Sequence, residues 1–282
     1  TALRIFSTLN DRGLPLSDAD IFKAQFYKYY GANGNKNDFI SEWKKLEEIT
    51  SVALKPISGT SMDELFARYM YYLRAKEGNK NSTTEALRKF FERNKYSYLR
   101  LPQTIKELKA LALFWKSVSE QDRDRFSDNV LKKLFVLNYA PNGMWQHITS
   151  VFFLQNKSES GMLDDAMFSR FLNRITAFIF TYAITNPGVN ALRTPVYDEM
   201  VNIVNDVETT FSRYQFNHAQ ARSFFENYDF TNQRNATRSM IVWYAYTFPE
   251  QQLLGLNENF HLEHIYSKKR QEMEGGLKNE NN

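Results

Sequence analysis

The chain has 282 residues, enough for one large domain or two ordinary ones and for a sizeable core without covalent staples. It contains no cysteine, which excludes a disulfide framework and any thiolate metal site. Aromatic residues make up 15% of the sequence against only 11 Gly and 7 Pro, which excludes a disordered chain and argues against a turn-rich β sandwich; the net charge of +4 admits nucleic acid as a partner without demanding it.

Residues 1–16 contain Asn10-Asp11-Arg12-Gly13, a turn-forming cluster, after which Leu14-Pro15-Leu16 leads into Ser17. Ser17 with Asp20 three positions on has capping-box chemistry, in which hydroxyl and carboxylate satisfy the free amide donors of a helix start. The spacing predicts a helix with Ile21, Phe22, Gln25, Phe26, Tyr29 and Tyr30 on one face, ended by Gly31 to Asn35. Asn37 is the expected cap of a second helix, whose Phe39, Ile40, Trp43 and Leu46 share a face. Ser61 with Glu64 opens a third, carrying Leu65, Phe66, Tyr69, Met70 and Leu73, and Ser82 with Glu85 opens a fourth, carrying Leu87, Phe90 and Phe91. Pro102 stands where a first helical residue would, ahead of Ile105, Leu108, Ala112 and Trp115, and Ser127 precedes Val130, Leu131, Leu134 and Phe135.

Pro141-Asn142-Gly143 punctuates before the apolar helical run Met144 to Leu154, and Asn156 to Gly161 reads as a loop. Leu163 to Ile184 is the most apolar segment; Phe168, Phe171, Leu172, Ile175, Phe178 and Ile179 cover more than one face, which predicts a place at the centre of a bundle. Thr194-Pro195, Asn217 and Asn232 mark three further helix starts, the last running through Met240, Trp243 and Tyr244 to Phe248-Pro249. The expectation is an all-α protein, a multi-helix bundle of about ten helices over residues 17–256. At Phe260-His261-Leu262-Glu263-His264-Ile265 the pattern shifts to partial alternation, a strand's period, with a turn at Glu274-Gly275-Gly276, so a small β element is expected to begin there and be cut off.

The uncharged run between Arg174 and Arg193 is broken by Asn186-Pro187-Gly188, short of the ~20 apolar residues a spanning helix needs. No membrane partner is expected, and a cytoplasmic protein is. The start at Thr1 rather than Met and the abrupt Lys278-Asn279-Glu280-Asn281-Asn282 end read as an excerpt of a longer polypeptide.

His261 and His264 flank Glu263 at a spacing of three, which is not the helical His-Glu-x-x-His arrangement that sets two imidazoles on one metal. Two readings stand: ordinary surface or core-edge histidines, or a hydrolytic pair. A carboxylate oxygen is a hard ligand for Mg²⁺, and a neutral imidazole can take a proton from an attacking water near neutral pH. Neighbours on a strand point to opposite faces, so Glu263 and His264 converge only at a strand end or bend.

The run Phe260 to Ile265, above all Glu263-His264-Ile265, resembles the opening motif of the HNH-type nuclease domain at the C-terminal end of GmrSD-like bacterial proteins. Ile5 to Lys23, through Asn10-Asp11-Arg12-Gly13-Leu14-Pro15-Leu16-Ser17-Asp18-Ala19-Asp20, resembles the close of that family's ParB-like N-terminal domain. The resemblance implies three parts: the end of the ParB-like domain over 1–16, a helical middle over 17–256, and over 257–282 the start of a truncated HNH domain of ββα-metal type. It implies a nucleotide- and modification-dependent restriction endonuclease acting on phage or foreign DNA. The NTP would be bound in a domain upstream of Thr1 that carries an Asp-Gly-Gln-Gln-Arg motif absent here. Within that resemblance Glu263 is the ligand of Mg²⁺ or another divalent cation and His264 the general base, while an Asn or His completing the site would lie beyond Asn282. Ser267 stands where the family tends to place Pro. On this account the present chain alone does not cut DNA.

Asn10, Arg12, Asp20 and Lys23 are candidate nucleotide contacts in the N-terminal motif; alternatively the first two are turn chemistry and Asp20 with Lys23 a surface pair. Residues 80–135 hold 13 Lys and Arg against 7 Asp and Glu, with Phe90, Phe91, Tyr96 and Tyr98 interleaved, so the rest of the chain is slightly acidic. Arg88, Lys89, Arg93, Lys95 and Arg100 are therefore candidate phosphate contacts with the aromatics stacking on bases. The plainer reading puts Phe90 and Phe91 in the core and the charges on a solvated helix face. His147 and His218 have no partner in the sequence pattern and read as satisfied or surface histidines. Beside the nuclease reading stand two others, a non-catalytic helical module that relays a signal or binds a partner, and a DNA-binding scaffold; homo-oligomerisation is left open.

Overall fold

Short polar caps and few glycines cut the chain into helices and tight turns. The computed structural model describes residues 16–56, 59–83, 85–186, 190–214, 217–228 and 235–256. Their regular structure consists of eleven α-helices and one 3-10 turn. The helices are α1 (Asp18–Ala32), α2 (Lys36–Ala53), α3 (Ser61–Lys76) and α4 (Leu87–Arg93), then after the 3-10 turn Ser97–Arg100, α5 (Pro102–Ser119) and α6 (Asp128–Leu137). There follow α7 (Met144–Asn156), α8 (Asp165–Thr185), α9 (Arg193–Val204), α10 (His218–Glu226) and α11 (Asn235–Ala245). The all-α expectation holds for the described residues, among which there is no strand; the expected β element over 257–282 lies outside them.

Several helix starts form as their local chemistry dictates. The Ser17 and Asp20 side chains exchange hydrogen bonds with each other's backbone at 3.1 Å, closing the capping box of α1. Pro102 opens α5, the Ser127 hydroxyl caps α6, and Asn217 caps α10. Helix α3 departs by one residue: its box pairs Thr60 with Asp63 rather than Ser61 with Glu64. Glu64 is drawn instead to Arg68 one turn on, at 2.8 Å. The other Asp63 oxygen accepts from the Ala19 amide at 2.7 Å, so one carboxylate fastens the starts of α1 and α3 together. Helix α2 begins after Asn35 without a side-chain cap, not at Asn37. Helix α4 begins after Ala86 because Glu85 turns to Arg93 at 3.3 Å rather than capping. Thr194 and Pro195 fall inside the first turn of α9, which starts at Arg193; Asn232 lies outside the described residues.

The core is continuous and aromatic. Phe22 of α1 packs on Phe66 of α3 and Phe91 of α4 at ring separations of 4.9 and 4.7 Å, and Phe26 meets Phe39 and Trp43 of α2 at 5.9 and 5.8 Å. Farther along, Phe114 of α5 stacks on Phe153 of α7 at 4.3 Å, and Phe152 on Phe171 of α8 at 3.9 Å. The centre is held by α3, most of whose residues are buried on every side and which packs against α1, α2, α4, α5, α7 and α9. Helix α8, expected there, keeps an exposed strip at Arg170, Asn173 and Ala177 and packs against α6 and α10. Its hydrophobic excess goes into a wide buried stripe rather than an all-round one. Ile40, expected on the core face of α2, is 48% exposed. Near the end of α9 the buried Glu199 carboxylate accepts from the Phe211 amide at 2.7 Å, holding Phe211 at a left-handed φ of 51° while its ring stacks on Phe178 at 3.8 Å. No helix among the described residues is long and apolar enough to cross a membrane.

Candidate functional site

The two described members of the N-terminal motif have structural work. Asp20 spends its carboxylate on Ser17, and Lys23 pairs with Glu47 at 2.8 Å and lies over the Trp43 ring at 5.6 Å, so the expected Asp20–Lys23 pair does not form. Asn10, Arg12, Glu263 and His264 lie outside the described residues. Among the described residues no three His, Asp or Glu side chains come together in a way that could hold a metal ion.

The basic stretch is largely engaged within the fold. Arg88 pairs with Asp18 at 2.9 Å, and Arg93 pairs with Glu77 and Glu85. Lys109 pairs with Glu42 at 2.7 Å. Phe90 and Phe91 are fully buried, and Tyr96 and Tyr98 donate to Glu92 and Glu77 at 3.1 and 2.5 Å. The core reading of the two phenylalanines is the observed one. Lys89, Lys95 and Arg100 make no ion pair among the described residues, and Lys95 takes a left-handed φ of 49° just before the 3-10 turn. These three are what remains of the five candidate phosphate contacts.

A polar enclosure lies elsewhere, where the ends of α2 and α5 meet α3, α7 and the segment after α11. A cleft of about 540 Å³ opens there, lined by Lys55, Arg68, Trp115, Gln121, Asn138, Trp145 and Gln146 and closed on one side by Gly255 and Leu256. At its wall the Arg68 side chain is only 3% exposed. Its Nε donates to Glu64 at 2.8 Å and its guanidinium lies over the Trp115 indole at 4.2 Å, but Nη1 is buried with no hydrogen-bond partner. Buried polar groups are almost always paired, so such an orphan asks for a reason. Burial lowers the Arg68 pKa and the Glu64 carboxylate opposes that shift. Behind the wall, His147 packs on the Tyr71 ring at 4.3 Å. Part of His147 reaches the surface, yet its Nδ1 is sealed without a partner. Burial, reinforced by the Arg68 charge, pushes its pKa down to about 3, so the ring is neutral at physiological pH.

Gln121 joins this cleft to the C-terminal segment. Its Nε2 donates to the Leu254 carbonyl at 2.9 Å and its Oε1 accepts from the Leu256 amide at 3.0 Å. The Leu254 amide donates to Tyr246 Oη at 3.2 Å. The amide side chain thus pairs with 254–256 as a backbone strand would. Gln121 itself holds a left-handed φ of 52°, a costly conformation for a residue with a Cβ. Six residues beyond this clamp comes Leu262, then Glu263 and His264.

Sequence reasoning did not single out Arg68 or Gln121. The signal for Arg68 is a cation at a core-facing position between Leu65, Phe66, Tyr69 and Met70, with Glu64 one turn before it. No local pattern marks Gln121, whose role rests on contacts more than 130 residues away in sequence. No protein-family model, curated protein or solved structure matches the chain.

Proposed function

We propose that the chain is the helical middle of a GmrSD-like, nucleotide- and modification-dependent DNA endonuclease, with the first part of an HNH-type site following it. The observation that carries this reading is the order of two motifs, Ile5 to Lys23 and Phe260 to Ile265, at opposite ends of a helical body. The all-α architecture between them is compatible with it. The Gln121 clamp lends further support, since a nuclease domain needs a defined attachment where it leaves its scaffold.

In this reading His264 takes the proton from the water that attacks a phosphodiester. Glu263 would help hold a divalent cation, which supplies stabilisation of the charge developing on the phosphoryl and leaving oxygens. The body contributes position: 254–256, the last described residues before the motif, are fixed at Gln121.

The test is plasmid nicking in Mg²⁺ by a chain extended past Asn282. The extended protein is expected to nick and its His264→Ala variant to lose that activity; unchanged nicking by the variant overturns the assignment. A second reading, a non-catalytic helical scaffold, is favoured by the internal pairing of Arg88 and Arg93. It predicts no Asn or His ligand in a helix after Asn282 and no nicking by the extended chain.

A further inference from the structure

The cleft at the C-terminal clamp has the chemistry of an anion site. Arg68 is buried at its wall with one N–H pairing to Glu64 and Nη1 left without a protein partner. Trp115 covers one face of its guanidinium at 4.2 Å and Nη1 is sealed from solvent, so a ligand pairs with it only where the cleft wall gives way around its N–H edge. That edge suits an oxyanion, the partner a planar guanidinium binds with two parallel hydrogen bonds.

The surrounding charge favours the same class. Lys55, exposed at the end of α2, adds a second cation to the lining. The carboxylate that lines the cleft, Glu120, is engaged by Lys116 at 3.6 Å. Amide side chains of Asn138 and Gln146 add neutral donors, and Val52, Val118 and Leu256 supply an apolar wall that a bare inorganic ion would leave unused. About 540 Å³ is within the range of sites for small organic ligands.

We infer that this cleft binds a small organic oxyanion, a phosphate ester or carboxylate with an apolar body, whose charged end pairs with the Arg68 guanidinium and whose body lies against the wall at Leu256. The inference stands on the cleft alone and is independent of the nuclease reading. It couples a ligand to the C-terminal segment, because Leu256 belongs both to the lining and to the Gln121 clamp.

The test titrates the whole chain with phenyl phosphate, benzoate and inorganic phosphate at fixed ionic strength, reading indole fluorescence and melting temperature. Trp115 and Trp145 lie in the lining, so occupancy reports directly. Phenyl phosphate or benzoate is expected to give a saturable change and a raised melting temperature, with inorganic phosphate at least tenfold weaker; which of the two aromatic anions binds tighter identifies the oxyanion. Arg68→Gln is expected to lose the response. Because that change also strips Glu64 of its partner, the rim variants Lys55→Glu and Gln146→Glu serve beside it, each folded and each weakened tenfold or more. A wild-type protein with no saturable response to either aromatic anion overturns the inference. So does a folded Gln146→Glu variant that binds as the wild type does.

Discussion

Helix α3 buries two faces by different means. On one, Phe66 lies among Phe22, Trp43 and Phe91 at ring separations of 4.9, 6.0 and 6.0 Å, with Leu65 fully buried nearby and no polar side-chain atom of its own to satisfy. On the other, Arg68 and Arg74, each 3% exposed, hold charge in the interior. Arg74 donates to the Asn81 carbonyl at 2.8 Å and sits over Tyr197 and Tyr71 at 5.3 and 5.8 Å, yet its Nη1 is orphaned like that of Arg68. The His147 Nδ1, on the ring that packs against Tyr71, adds a further orphan to the same side. The aromatic face gains from every contact it makes. The charged face leaves polar atoms unpaired, a pattern that stability alone does not select and that ligand sites tolerate.

The sharpest way to break the comparison is to cut into each face in turn. Phe66→Ala removes a fully buried ring from a packed cluster and is expected to cost about 3–5 kcal/mol in urea unfolding. Arg68→Met fills similar volume but strands Glu64, which is itself only 21% exposed, and is expected to cost about 2–3 kcal/mol. Adding Glu64→Gln should recover most of that loss, because the pair is replaced rather than broken. No second change is expected to rescue Phe66→Ala so simply. If the Arg68→Met, Glu64→Gln protein stays as unstable as the single variant, the charged face is a stabilising device and the contrast drawn here fails.

Acid sharpens the comparison from a different side. Folding keeps His147 neutral, with its pKa at about 3, while in the unfolded chain the same ring takes up a proton below about 6.5. The unfolded state therefore binds more protons over that interval, and the stability owed to a neutral His147 is present above pH 6.5 and drains away as the pH falls toward 3. One proton corresponds to about 1.4 kcal/mol per pH unit, so between pH 7.5 and 5 the wild type should lose about 2 kcal/mol more than a His147→Gln variant. Equal losses in the two proteins would mean that His147 accepts its proton without unfolding, through access to solvent on the charged face.

What could be read from the sequence was what is decided locally. The Ser17 box, Pro102 at the head of α5 and the Ser127 and Asn217 caps each depend on residues within one turn. The box expected at Ser61 is displaced to Thr60 by a competition between two local demands, since Glu64 can cap or pair with Arg68 but not both. The choice of central helix went to α8 because Leu163 to Ile184 is the more apolar run, whereas α3 buries two cations, Arg68 and Arg74, beside Tyr69, Tyr71 and Tyr72. The cleft was hidden for a stronger reason. Lys55, Arg68, Gln121, Trp145 and Leu256 come from five separate stretches, and only packing brings them together.

The smallest expected effect falls on Gln121, and it separates strain from tether. Gln121→Ala keeps the left-handed backbone and loses both hydrogen bonds to 254–256; Gln121→Gly loses the same bonds but removes the conformational penalty of a Cβ at a φ of 52°. The glycine variant should therefore be the more stable of the two by about 1 kcal/mol. Both should show the same rise in amide exchange at Leu256, whose N–H donates to the Gln121 side chain, because that protection depends on the side chain and not on its backbone. Were the glycine variant alone to gain global stability while both kept wild-type exchange, Gln121 would be strained without fastening anything. A tether that costs backbone strain, placed at the rim of a cleft walled by a guanidinium whose Nη1 has no partner, links the charged face of α3 to the segment that precedes Glu263 and His264 in the sequence.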